Sequence, residues 1–404
     1  VTPRPYQIEG RDFLAARKFA LLADEMRVGK TPQAILAAQK IGARSVIVVC
    51  PAIAVAHWRA EFDKWWPEFG GRLEVLSYDR LRLGWAGRVG EPKWDVAVID
   101  ECHFAKNPEA QRTKLVYGKT GLGWRSDHMW VLSGTPATKH AGELWAMLRA
   151  FGVVGMTYDE FLKRYCRIDW NGIVRGTKSA MVPELRELLG KIMLRRTRKQ
   201  VAPDMPAIDY QFLEVEAAGA DLKLPGGLSD AGVAKWCEVH ATSDAEDRIA
   251  VALSKVQPLV DQIEFSIREQ RMAQTVVFGW HIEPLQQVVA ELRLRNISAE
   301  LLNGSTPLSK RTQIQGAFRA GDVQVVVANI LAAGTAIDLS SASHGYFLEL
   351  WWVGSDNLQA SNRLVSMDKT EPITFDIVTR PGSSDDRVQR VLVRRMCELR
   401  LLLS

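Results

Sequence analysis

Short runs of valine and isoleucine, each closed by turn residues and followed by a segment of helical period, recur along both halves of the chain. In the first half they are SVIVVCP (45–51), WDVAVIDE (94–101) and MWVLSGTP (129–136). In the second they are QTVVFGW (274–280), VQVVVANI (323–330), YFLELWW (346–352) and ITFDIVT (373–379). Runs of this kind read as strands buried on both faces, which parallel sheets covered by crossover helices provide. TPQAILAAQK, AVAHWRAEFDKWW, EPLQQVVAELRLR and SKRTQIQGAFRAG supply the helical patterns. The expected class is α/β, with two domains, each a mainly parallel sheet with helices on both faces. A length of 404 residues exceeds one ordinary core and agrees with two. The boundary is expected near residue 206, giving domains 1–205 and 206–404, with a linker over roughly 200–245 around AAGADLKLPGGLSDAG.

Composition narrows the function classes. Hydrophobic residues make up 47% and charged residues 25%, the balance of a globular chain. No run approaches a membrane span, and VTPRPYQIEGRDFL lacks the pattern of a secretory signal. Cysteines at 50, 102, 166, 237 and 397 are scattered and odd in number, neither a disulfide framework nor a CxxC metal site. A reducing, intracellular compartment is expected. The net charge of +5 permits a polyanionic partner without requiring one. Basic clusters occur at LRRTRK (Arg195, Arg196, Arg198, Lys199), at Lys310 and Arg311, and in RVQRVLVRR (387–395). Each reads equally as a solvated helix face or as a phosphate contact.

The chemistry lies in three segments. LADEMRVGKT ends as a phosphate loop ends, although Asp24 stands where GxxxxGK[ST] has its first glycine. Gly29 lets backbone N–H groups approach phosphate oxygens, Lys30 neutralises them, and the Thr31 hydroxyl is a Mg²⁺ ligand. VIDECH follows a strand with adjacent carboxylates, Asp100 to hold Mg²⁺ and Glu101 to accept a proton from attacking water. A buried structural acid pair is the blander alternative, but like charges side by side are costly without a cation. LSGTPATKH ends a third strand before a helix.

The order of these parts resembles the superfamily 2 helicase-like ATPases, specifically the Snf2 group of double-stranded DNA translocases. Within it the chain is most similar to the short HARP-type annealing-helicase and fork-remodelling branch, in a phage or bacterial single-core form. RPYQ at 4–7, ADEMRVGKT, VVCPAIAVAHWRAEFDKWWP, DECH, LSGTP, RYC through MLRRTRK, NGSTPLSKRTQIQGAF, NILAAGTAIDLSSASH and ELWWVGSDNLQASNRLVSMDKTEPI carry the resemblance, which covers nearly the whole chain. It implies two RecA-like domains that meet around ATP. It also implies adenine recognition by Gln7, nucleotide contacts from Arg27, Gly29, Lys30, Thr31 and Gln359, and Mg²⁺ at Thr31 and Asp100. Catalysis would fall to Lys30, Asp100, Glu101 and the arginine finger Arg363. DNA contacts would come from Pro51, His57, Thr135, Arg311 and Gly334. The partner implied is double-stranded or branched DNA, bound without regard to sequence by a monomer. The compartment implied is the cytoplasm of a prokaryotic or phage-infected cell, or a eukaryotic nucleus.

Three departures stand out. Arg27 replaces a glycine of the group's GLGKT loop, and Ser366 stands where a second arginine finger belongs. Ala336 occupies a usual glycine position. These keep a hydrolysis-impaired, nucleotide-gated DNA-binding module open beside a DNA-dependent ATPase motor; an RNA helicase of the wider superfamily is the third reading, against which the Snf2-like forms of DEMRVGKT, LRRTRK and QASNR count.

Overall fold

The computed structural model of the chain describes residues 2–84, 93–216, 241–333, 337–366 and 369–403. Its contacts gather into two compact units, residues 1–203 with 397–404, and residues 204–396.

In the first unit, strands β1 (Phe19–Leu22), β2 (Ser45–Cys50), β3 (Arg72–Ser77), β4 (Trp94–Asp100) and β5 (Ser126–Leu132) join β8 (Met193–Leu194) in one sheet. Its order is β3-β2-β4-β5-β1-β8, parallel throughout. A separate antiparallel hairpin is formed by β6 (Cys166–Ile168) and β7 (Val174–Thr177). The valine-rich runs are strands because both of their faces are covered. In β2, Val46, Val48 and Cys50 pack into one core, under helices Pro5–Ala15, Lys30–Lys40 and Val55–Trp65. Ile47 and Val49 face the other, beneath helices Gln111–Tyr117, Trp145–Ala150, Tyr158–Tyr165 and Val182–Gly190. Each such side chain contributes roughly 1.5–3 kcal/mol by leaving water.

The second unit repeats the plan. Strands β9 (Ile208–Glu214), β10 (Thr275–Gly279), β11 (Ala299–Leu302), β12 (Val325–Asn329), β13 (His344–Phe347) and β14 (Ile373–Thr379) take the order β11-β12-β10-β13-β14-β9, again parallel. Helices Val256–Arg268 and Ile282–Leu294 cover one face through Leu259, Ile263, Leu285, Val288 and Leu292.

All seven expected strands form, with shifted ends at two. The run at 129–136 belongs to a strand that starts at Ser126 and stops at Leu132. The run at 346–352 starts at His344 and leaves the sheet after Phe347. There the buried Glu349 turns to accept the backbone N–H groups of Trp280 and His281, at 3.1 and 2.9 Å. Strands β1, β3, β6, β7, β8, β9 and β11 are short or lie at a sheet edge, where apolar runs are broken. Most of the expected linker falls on residues 217–240, outside the described residues. Among the described residues no helix is long and apolar enough to cross a membrane.

Candidate functional site

Register builds the site. β1 and β4 flank β5, with Leu22 opposite Leu132 and Asp100 opposite Leu132. The loops after these three strands therefore leave the sheet side by side at its C-terminal edge, where open α/β sheets bind ligands.

The first loop runs from Ala23 to Gly29 and opens helix Lys30–Lys40. Gly29 is left-handed, with φ of 74°, as a backbone turning sharply into a helix requires. Arg27 is left-handed too, at φ 67°, a conformation that costs an L-residue roughly 1–2 kcal/mol. The Lys30 ammonium donates to the carbonyls of Asp24 (2.9 Å) and Glu25 (3.0 Å). Burial lowers its proton affinity, while the carboxylates of Glu101, Asp24 and Asp100 act in the opposite sense. Thr31 follows on the first helical turn.

Asp24, fully buried, anchors this loop. Arg196 donates to both of its oxygens, Nε at 3.1 Å and Nη2 at 2.6 Å. The same guanidinium reaches Tyr6 O at 2.6 Å and Gln33 Oε1 at 2.8 Å. Arg195 takes a second route, with Nη1 donating to Ala23 O (2.8 Å) and Gly134 O (3.1 Å), so it ties the first loop to the third. The LRRTRK arginines 195 and 196 are thus internal braces, neither a solvated face nor a free phosphate clamp. Gln7 is buried, and its Oε1 accepts the Arg4 backbone N–H at 2.9 Å, fixing the start of helix Pro5–Ala15.

The carboxylates stand at the end of β4. Asp100 Oδ2 accepts Trp58 Nε1 at 2.8 Å. Burial, with Glu101 alongside, pushes the Asp100 carboxyl up to about 7. Glu101 takes a left-handed backbone, φ 52°. Its Oε2 accepts the Ser133 hydroxyl at 3.2 Å and lies 3.3 Å from His103 Nδ1. Burial raises the Glu101 carboxyl, but His103, Lys30 and Ser133 outweigh it and hold the group below its ordinary range. Tyr78 OH braces the main chain beneath both, donating to Asp100 O at 2.8 Å and Glu101 O at 3.3 Å. Four non-glycine residues have positive φ among the described ones. Arg27 and Glu101 lie in this site, whereas Gln270 and Asn296 lie just past helix C-termini, where such backbone is ordinary.

The remaining expected residues are distributed as follows. Pro51 caps the turn before helix Val55–Trp65, and His57 is exposed on that helix. Thr135 is half-buried beside Ser133, whose Oγ accepts its N–H at 3.1 Å. In the second unit, Arg311 is turned inward: its guanidinium donates to the carbonyls of Thr306 (2.9 Å), Ala332 (3.0 Å) and Asn303 (2.7 Å). Gln359 and Arg363 are half-buried, on helix Gly354–Ser361 and the turn after it, and Arg363 O accepts the Leu339 N–H at 3.0 Å. Lys369, whose backbone N–H donates to Ser366 O at 3.4 Å, has its ammonium engaged by the carbonyls of Ser340 (2.9 Å) and Ala342 (2.5 Å). Gly334 and Ala336 lie outside the described residues.

The structure sets Lys30, Asp100 and Glu101 at adjoining strand ends, and Trp58, Ser133, Arg195 and Arg196, which sequence reasoning did not name as their supports, hold them there. The only local signal for Trp58 was its spacing of four from Phe62, both buried on one helix face.

Comparison with known proteins bears on the family and the fold. The chain is 27% identical over 413 aligned positions to the SWI/SNF-related matrix-associated actin-dependent regulator of chromatin subfamily A-like protein 1 of Xenopus laevis, covering 95% of this chain and 42% of that protein. It is 26% identical to the DNA annealing helicase and endonuclease ZRANB3 of Mus musculus, covering 97% of this chain and 40% of that protein. The chain thus spans about two fifths of the length of these curated relatives. The crystal structure of the Pyrococcus furiosus Hef helicase domain shares the fold, with a TM-score of 0.54 at 13% identity, covering 96% of this chain and 97% of that one. Both units are accordingly RecA-like. A helicase conserved C-terminal domain is matched over residues 254–367. The SNF2-related domain is matched over residues 6–82 and 74–223, more than half of the chain, which therefore belongs to the SNF2-related family.

Proposed function

We propose that this chain is an ATP-dependent DNA translocase of the Snf2 type, acting on duplex or branched DNA in replication, recombination or repair. The observation that carries the reading is the convergence of Lys30, Asp100, Glu101 and Ser133 at adjoining strand ends. The donor set suits ATP with Mg²⁺. Asp100 and Glu101 stand half-buried side by side, a placement that favours a cation, and no cage of three or more His, Cys, Asp or Glu side chains exists among the described residues. Mg²⁺ needs only one or two protein oxygens beside phosphate and water, and Thr31 and Asp100 supply them. When bound, the ion neutralises charge on the phosphate oxygens.

The protein's own groups do the rest. Lys30 is positioned to exchange its two loop carbonyls for phosphate oxygens. Glu101, kept ionised and aimed by Ser133 and His103, accepts the proton of the attacking water. Arg363 is the cation that the resemblance assigns to charge developing on the phosphate. DNA is read through its backbone by the turn and helix carrying Pro51 and His57 and by Thr135. Arg311 holds the loop beside it in place.

Steady-state ATP hydrolysis with and without duplex and forked DNA, beside Glu101→Gln, tests this. Turnover that rises with DNA and vanishes in the variant supports a motor. Nucleotide binding with no turnover above the variant overturns it in favour of a nucleotide-gated DNA-binding module, the reading that Arg27 and Ser366 favour. Stimulation by RNA in preference to DNA would move the chain to RNA.

A further inference from the structure

Helix Val55–Trp65 faces two ways within one turn. His57 is exposed, and Trp58, the next residue, is fully buried with its indole N–H on Asp100 Oδ2 at 2.8 Å. Successive helical residues point about 100° apart, so a helix lying on a sheet edge can touch an outside ligand and an inner carboxylate together. An indole N–H donates and never accepts, so the bond has one polarity and fixes which oxygen of Asp100 is occupied. The main chain under that carboxylate is held independently by Tyr78. The Trp58 hydrogen bond therefore bears on the side chain of Asp100 and not on its main chain.

We propose that Trp58 is a positioning residue that orients the Asp100 carboxylate for its divalent cation and relays DNA contact on helix Val55–Trp65 to that cation. This rests on the function proposed above. Outer hydrogen bonds of this kind fix a ligand's orientation, and their loss typically weakens metal affinity about 10- to 100-fold. A purely structural Trp58, packed on Phe62 with ring centroids 6.5 Å apart, would leave metal affinity untouched by a change that keeps the ring.

Manganese is the probe. Free Mn²⁺ is counted by electron paramagnetic resonance over the full chain with a non-hydrolysable ATP analogue, with and without duplex DNA. Trp58→Phe should hold Mn²⁺ about 10- to 100-fold more weakly and lose the change in Mn²⁺ affinity that duplex DNA produces in the unaltered chain. Trp65→Phe removes an indole N–H from the same helix, one bonded instead to Glu61 Oε2 at 2.9 Å, and should match the unaltered chain. Mn²⁺ affinity in Trp58→Phe equal to that of the unaltered chain overturns the proposal. So does a DNA effect that survives intact, or is absent from the unaltered chain. Should Trp58→Phe fail to fold by circular dichroism, benzothienylalanine at position 58 keeps the bicyclic shape without the N–H and takes its place in the same titration, with the same outcomes for and against. ATP turnover indifferent to DNA overturns the translocase instead, and the DNA-free manganese comparison then still decides whether Trp58 orients the carboxylate.

Discussion

Arg196 Nη2 stands 2.6 Å from Asp24 Oδ2, both residues buried, in a bidentate pair that joins the loop after β1 to the segment after β8. The same guanidinium bonds Tyr6 O and Gln33 Oε1. Breaking such a pair from one side leaves a charge in the interior. Arg196→Met should cost about 3–5 kcal/mol of stability in urea denaturation, and adding Asp24→Leu should recover much of it. A loss below about 1 kcal/mol in the single variant would show that water reaches the pair.

Arg27 carries a left-handed backbone that glycine adopts freely. Arg27→Gly should stabilise the nucleotide-free protein by up to about 1 kcal/mol, the relief of strain being partly offset by the freer unfolded chain. The thermal midpoint reads this directly. A fall would mean that contacts of the guanidinium outweigh the strain.

The Asp100 carboxyl titrates at about 7 in the folded protein against an ordinary 3.8, so between those values the folded state holds the extra proton. Stability of the metal-free protein should therefore fall as pH rises from about 4 to about 7 on this group's account. Asp100→Asn should flatten that slope. Chemical denaturation across this range, with the metal chelated, checks it, and parallel profiles for both proteins would refute it.

Ser366 occupies the place of a second arginine finger in the resembling group, and the nearby Lys369 is engaged by two carbonyls and does not replace it. Ser366→Arg should raise kcat for DNA-stimulated ATP hydrolysis by on the order of a thousandfold if the missing cation limits turnover. Unchanged kcat, with KM also unchanged, would place the limit elsewhere in the cycle.

What the sequence made legible and what it hid divide along a physical line. The valine runs of β2, β4, β10 and β12 could be read because burial on both faces leaves an uninterrupted apolar string. Gly29, Lys30, Asp100 and Glu101 could be read because their chemistry is packed into adjacent positions. Arg195 and Arg196 could not, since their partners lie as far as 190 residues away and nothing local separates a brace from a solvated cation. The inward turn of Arg311 was hidden for the same reason, its three carbonyl acceptors being set by the fold of a loop. Trp58 was hidden because an indole in an amphipathic helix looks like packing until its N–H is seen on a carboxylate.

The separation between Asp24 and Arg196 also sets a clock on biosynthesis. The loop emerges from the ribosome early, and Gln33 Nε2, which donates to Asp24 Oδ2 at 3.3 Å, follows nine residues later, yet the buried carboxylate lacks its cationic partner until 172 more residues have been made. At roughly 5–20 residues per second, that interval is on the order of ten to thirty seconds. During it the nascent chain carries the loop after β1 without its cationic brace, so the buried pair closes only as the second unit starts to be translated.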